Sequence, residues 1–446
     1  MTETVSQALG PAGSAGSAGP AGSAGSAPGI SQGAPSPAGL TTSRGAALYI
    51  GALLGPGLLL LPGLAATEAG PASVLAWAGL LVLSGLFAAV FGSLGQAFPS
   101  AGGVIGYVRA GLGTRAGQVT GWSFLAGVVF GAPVVCLIGA GYITELTGGG
   151  TLARALIGAA LLVVVLVLAA GGMRASAAAQ VLLVGLLLGV IVVAVAGSAH
   201  SAHASNWTPF APHGWQAIGR AAATLIFSFV GWEAVAPLTT RFADPARQLP
   251  RVIAIALAVT TVLYLGLAVA TVSVLGTGAG TSAPLAALLR DAAGPAGTAA
   301  AAVAAVVLTL GAVNAYVGGA AEMAVELTRR KAPGPVAPGT RPPLRFFAAI
   351  AVTGLALISL YGAGLASPAT LIALPTALFL LVYLSCMTSA ARILRGPARW
   401  AAAPAALFVA VVLAYCGWSL LAPAAVILAV FLAGPLARAA RARLAH

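Results

Sequence analysis

The chain has 446 residues, a net charge of +13, 59% hydrophobic residues and only 7% charged ones. Soluble domains carry roughly a quarter charged residues, so a soluble globular fold is excluded. The apolar runs do not alternate with polar residues, which argues against a transmembrane β-barrel, and the spread of the basic residues between runs argues against a nucleic-acid partner.

Residues 1–40 are a low-complexity tail of Gly, Ser, Ala and Pro. With nothing to bury, this tail is expected to be disordered and cytoplasmic. Glu3 replaces the basic start of a signal peptide, and no apolar core follows it. From Gly45 onward, apolar stretches of about 20 residues recur. They fall near 45–66, 72–97, 117–143, 152–170, 176–197, 215–240, 252–276, 296–327, 344–362, 367–391, 400–417 and 419–437, which makes twelve spans. With the N-terminus cytoplasmic, only Arg154, Arg220 and Arg290 of the 21 Lys and Arg fall on the external side. That positive-inside bias fixes orientation and span count together. It also leaves the short tail 438–446 cytoplasmic. The expected fold class is an all-α polytopic protein of a bacterial-type inner membrane, with twelve transmembrane helices in a domain over 41–437.

The first span is interrupted at Gly55-Pro56-Gly57. Pro56 has no N–H, and the flanking glycines let a solute approach the backbone. The half-helix beginning near Gly57 should point free N–H groups and a positive dipole end into a cavity, a seat for a carboxylate. A simple kink is the alternative, because Gly and Pro are frequent in membrane helices. After span two, Phe98 to Gly103 cannot form regular helix and reads as a loop or a close-packed hinge. Gly106 to Leu112 reads as a short interfacial helix, with Arg109 reaching towards headgroups. Cys136, Cys386 and Cys416 lie inside apolar spans without pairing or metal spacing, and read as small core residues. His200, His203 and His213 share one external loop. No Cys or acidic residue accompanies them, so a solvated loop is expected and no metal.

Span six carries the matching break, around Ser228 to Gly231, with Glu233 just beyond. If its first half ends near Phe227 and Ser228, free carbonyls there can accept from an ammonium group. A zwitterionic amino acid matches both ends. Phe130, Phe227, Phe229 and Trp232 suit an aliphatic or thioether side chain. A carboxylate at Glu233 costs on the order of 3 kcal/mol on insertion scales. It reads as a proton-coupling or gating group, or else as a brace for the unwound segment. In span eight, Asn314 and Tyr316 are candidate cavity groups, with interhelical packing as the alternative. Glu326 can pair with Arg329 or Arg330, and Glu322 lies about one turn deeper. Lys331 to Arg345 reads as a cytoplasmic connector. Spans one to five (about 45–197) and six to ten (about 215–391) are each odd in number, so the second set enters from the opposite side. Counting alone makes this a 5+5 inverted repeat, with spans eleven and twelve appended and the solute site at the midplane. No nucleophile–base pair, Walker loop or haem motif is found, so neither an enzyme nor a cofactor is expected.

Two stretches carry a resemblance: Phe98 to Val108 (FPSAGGVIGYV, continuing to Gly113), and Phe229 to Ala236 (FVGWEAVA) followed by Asp244 to Pro250 (DPARQLP). They resemble the amino acid–polyamine–organocation (APC) superfamily over residues 45–437. Val119 to Leu125 (VTGWSFL) and Tyr383 to Met387 (YLSCM) resemble its bacterial amino-acid efflux family. The resemblance implies a LeuT-type fold with helices one and six broken, and transport of methionine, leucine, isoleucine and valine. It also implies an amino-acid site on the backbone of Gly55, Pro56, Gly57 and Phe227 to Gly231, and it matches Glu233 to a family glutamate. The chain departs from some relatives in having no lysine in helix five; its one lysine is Lys331. The leading expectation is a proton-coupled exporter. Import or exchange of the same solutes, and an amino-acid sensor that does not transport, are the alternatives.

Overall fold

Clustered Gly and Pro, rather than single prolines, mark where the first apolar run breaks: Pro133, Pro375 and Pro404 lie inside continuous helices. The computed structural model describes residues 40–98, 103–171, 177–235, 242, 244–328 and 344–444. The tail reading of 1–39, the middle of the 98–103 hinge, and Arg329 to Pro343 with Lys331 lie outside them. Span one is three pieces: α1 (Thr42–Leu53), a 3-10 turn (Pro56–Leu59) and α2 (Leu61–Ala69). Thr41 caps α1 by accepting from the Arg44 N–H. The chain continues through α3 (Ser73–Ala97), α4 (Gly103–Leu112), α5 (Thr114–Thr147), α6 (Thr151–Ala170) and α7 (Ala177–Gly197). Gly148, left-handed at φ 75°, ends α5.

Span six is again in pieces: α8 (Gln216–Leu225), a 3-10 turn (Ile226–Phe229), extended Val230 and the short α9 (Trp232–Val235). The DPARQLP stretch is the start of α10 (Pro245–Ala270), not a loop before it. Asp244 accepts from the Arg247 N–H and Pro245 occupies the first turn, so the helix begins ahead of the apolar run. α11 (Pro284–Thr328) bends at Ala293 and Gly294, just before Pro295. Then come α12 (Leu344–Gly362), α13 (Pro368–Ile393), α14 (Pro397–Ala414) and α15 (Leu421–Leu444).

Nine helices among the described residues are long and apolar enough to cross a membrane. The pieces of the two interrupted spans are individually too short, and near the C-terminus only Gly417–Leu432 forms a shorter apolar helix. α5 is the hub, packing against α4, α6, α11, α12 and α13. A second group joins α1 to α7, α9 and α10, α2 to α8, and α3 to α8 and α10. α4 buries Val104, Ile105, Tyr107 and Val108 against α5 and α13. Arg109 on the same helix is half-buried, with its Nε shielded from solvent. Of the three arginines expected on the external side, Arg220 pairs with Glu68 at 2.6 Å, Arg290 pairs with Glu145, and buried Arg154 donates to the Leu137 carbonyl at 3.0 Å. The loop histidines do not converge: His200 faces Asp291 and His213 faces the Glu68 carbonyl, and the described residues contain no metal-holding group. Cys136 and Cys386 are buried free thiols and Cys416 is half-buried.

Candidate functional site

The two interruptions lie side by side, and the cavity opens between them. At the first, the α1 ladder runs out at Leu54, whose N–H reaches the Ile50 carbonyl at 2.8 Å. Gly55 turns back on Leu53, Pro56 offers no donor, and the first 3-10 bond is Leu58 N–H to the Gly55 carbonyl at 3.1 Å. The Gly57 N–H therefore precedes the first bond of its turn, where a helix start leaves donors open. A Cβ on Gly57 would sit 2.9 Å from the Ser228 hydroxyl and 3.4 Å from the Phe227 ring, so glycine permits the approach of the two breaks.

At the second, Val230 is extended and Gly231 adopts φ 153°, a conformation that favours glycine. A Cβ there would collide with the Ala52 carbonyl. Gly231 is thus the point where the second break touches the backbone of the first. Two tyrosines bind up the exposed backbone. The Tyr264 hydroxyl lies 2.7 Å from the Leu53 carbonyl and 2.8 Å from the Ser228 carbonyl, joining one break to the other. It has one proton, so it satisfies one of them fully at a time. The Tyr383 hydroxyl accepts from the Gly231 and Trp232 N–H groups at 3.0 and 3.2 Å and donates to Glu233 Oε2. Glu233 is 4% exposed, and also accepts from the Gly231 N–H at 2.9 Å and from the Tyr316 hydroxyl at 3.3 Å. Three donors thus converge on this carboxyl.

The cavity holds about 490 Å³ of atom-free space, including its opening. Gly55 and Gly57 form one wall, and Phe227 and Val230 form another. α5 supplies Gly127, Val128, Gly131, Ala132 and Val135, a stripe of mostly small residues at helical spacing. α11 adds Ala312, Val313 and Tyr316, and α13 adds Phe379. The Phe379 ring lies 6.3 Å from that of Phe227 and 6.4 Å from that of Tyr316. No charged side chain is on this wall among the described residues. It is fitted to a neutral, apolar group.

The sequence-predicted residues divide. Gly55, Gly57 and Phe227 line the cavity, and Pro56 begins the turn between the two glycines. Ser228 is buried beside Gly57, and its hydroxyl has no hydrogen-bond partner. Its carbonyl, expected to face an ammonium group, already faces Tyr264. Gly231 and Trp232 are not on the cavity wall. Trp232 is buried the other way, with its indole N–H on Ser84 at 2.8 Å and its ring edge-on to Tyr49. Phe229 likewise packs behind the break, against Trp77 and Tyr264. Asn314 and Phe130 are not on the cavity wall either. Glu233 stands behind Tyr316, one hydroxyl from the cavity. Sequence reasoning missed the α5 stripe, Phe379 and the bracing by Tyr264 and Tyr383. The signals present were Gly127 and Gly131 four apart, and hydroxyls deep in apolar spans.

The amino acid permease family matches residues 40–440. The uncharacterized amino acid permease YecA of Bacillus subtilis is 31% identical over 392 residues, covering 86% of this chain and 92% of that protein. The L-methionine/branched-chain amino acid exporter YjeH of Escherichia coli is 32% identical over 45% of this chain and 48% of its own length. The branched-chain amino acid permease BcaP of Bacillus subtilis is 28% identical over 45% of this chain and 47% of its own. With two broken apolar spans flanking an apolar cavity and a family match over nearly the whole described chain, this polytopic helical membrane protein belongs to the amino acid permease family of the APC superfamily.

Proposed function

We propose that the chain is a secondary active transporter of neutral hydrophobic amino acids, methionine, leucine, isoleucine and valine, and that it exports them in exchange for protons by alternating access. The observation that carries this reading is the uncharged, apolar cavity of about 490 Å³ between two helix interruptions. A dibasic or acidic solute would leave a charge unpaired there. In this reading the solute carboxylate seats on the backbone at Gly55–Gly57, with the partnerless Ser228 hydroxyl beside it. The ammonium group competes with Tyr264 for carbonyls at the breaks. The side chain lies among Phe227, Phe379 and the α5 stripe. Glu233 is the proton-coupling group. The similarity to a methionine/branched-chain amino acid exporter and to a branched-chain amino acid permease supports this substrate class.

The proposed architecture is twelve spans: the nine long helices, the two interrupted spans and the C-terminal apolar helix. They form a LeuT-type 5+5 inverted repeat over about 45–197 and 215–391, with the last two spans appended and both termini cytoplasmic in a bacterial plasma membrane. Uptake or exchange is the second reading. It is favoured by a relative named as a permease where another is named as an exporter.

Proteoliposomes with an imposed pH gradient and labelled L-methionine or L-leucine test the proposal. Gradient-driven movement of both, absent for labelled L-arginine and L-glutamate, is the expected result. Binding without any movement would leave a sensor and defeat the transport reading.

A further inference from the structure

Among the described residues, Tyr316 is the only one lining the cavity that has a polar side chain, and its hydroxyl reaches Glu233 Oε1 at 3.3 Å. The other carboxylate oxygen is held from the opposite side by Tyr383 and the Gly231 N–H. Glu233 itself is not on the cavity wall. An occupant of the cavity therefore meets Tyr316 before it can meet Glu233. A phenol has one proton to donate. It can serve Glu233 or a polar atom of the solute, and the long 3.3 Å contact is the weakest of the three that hold the carboxyl.

We propose that Tyr316 is the positioning residue that links occupancy of the cavity to proton exchange at Glu233, because both draw on its single hydroxyl. The inference rests on the proton-coupling reading of Glu233 and adds how the coupling is made. When a solute carboxylate accepts from the hydroxyl, Oε1 loses a donor. When Glu233 exchanges its proton with water, the demand of Oε1 on the hydroxyl changes. Two events that compete for one donor are reciprocally linked.

No full charge answers Glu233 from the helices packed around it among the described residues. α13 presents Tyr383 and Cys386, and α11 presents Tyr316. α1 and α4 bring Tyr49 and Tyr107, α3 carries no titratable residue, and Arg109 of α4 directs its charge at Glu326. Tyr316 is the member of this set that also touches the cavity.

The test is binding of labelled L-leucine to the purified full chain in nanodiscs, from acidic to neutral pH. The wild-type affinity is expected to vary with pH, and Glu233→Gln should make it flat. Tyr316→Phe, which keeps the ring against Phe379, is expected to bind leucine roughly two- to tenfold more weakly than wild type at its best pH, with the same flat profile. If Tyr316→Phe keeps the wild-type profile while Glu233→Gln loses it, the role of Tyr316 is overturned and the coupling reading stands. If the wild type shows no pH dependence, or Glu233→Gln retains it, the coupling reading falls and takes this inference with it. Should Tyr316→Phe bind no leucine, difluorotyrosine at position 316 decides, since it keeps the shape and makes the phenol a stronger acid. A midpoint displaced by roughly half a pH unit or more supports the link, and an unmoved midpoint overturns it.

Discussion

Replacing Tyr264 by Phe isolates the hydrogen bonds that join the two breaks. The ring packs against Trp77 and Phe229 at centroid distances of 5.1 and 5.2 Å, and Phe preserves both contacts. Only the hydroxyl that lies 2.7 Å from the Leu53 carbonyl and 2.8 Å from the Ser228 carbonyl is lost. Because one proton served both acceptors, the change removes one hydrogen bond's worth of stabilisation, and a buried acceptor left bare costs about 1–3 kcal/mol. Thermal unfolding of the detergent-purified chain should then fall by roughly 2–6 °C. An amino acid whose ammonium group reaches these carbonyls supplies the missing donor. Saturating L-leucine should therefore raise the variant's midpoint more than that of the wild type. A variant as stable as wild type would refute the bracing role of Tyr264. A variant destabilised but stabilised by leucine no more than wild type would place the ammonium elsewhere.

Gly57→Val should fold and insert yet lose leucine binding, since its side chain would crowd Phe227 on the cavity wall and Ser228 behind it; near-normal binding would make the first break a mere kink. Gly231→Val forces a β-branched residue to φ 153° against the Ala52 carbonyl, strain of about 1–3 kcal/mol before the collision is counted, so it should lower the unfolding midpoint as well as transport. Gly131→Leu fills the cavity from α5, and leucine affinity should fall at least tenfold in a scintillation assay with little change in stability. Methyl esters and N-acetyl derivatives of leucine should compete poorly against the free amino acid, and equal competition would sink the two-ended seat.

How much of this could be read from sequence depends on the range of the interaction. The first break was legible in the Gly55-Pro56-Gly57 cluster and the second in Ser228 to Gly231 beside a carboxyl, and the structure interrupts both runs at the expected residues; single prolines such as Pro133 and Pro375 stay inside continuous helices. Glu233 stood out because a carboxyl in an apolar span is rare. Its partners were not legible, since Tyr316 and Tyr383 lie 83 and 150 residues away. Gly231 and Trp232, expected beside the solute, are not among the residues lining the cavity. They were placed at the solute by adjacency to the break, but a four-residue helix has no periodicity that tells one face from another. Gly231 is small to admit the Ala52 carbonyl. The start of α10 ahead of its apolar run was available in the Asp244-Pro245 cap. The α5 stripe was hidden because small residues in a membrane helix serve interhelical contact as readily as a cavity.

The central claim is that an amino acid lies in the cavity between the two breaks. A crystal of the full chain soaked with L-selenomethionine tests it directly, because selenium marks the side chain of the solute by anomalous scattering. The account predicts one peak bounded by Gly57, Phe227, Gly131 and Phe379, removed by an excess of L-leucine. A leucine-displaceable peak at any other place in the protein would contradict it.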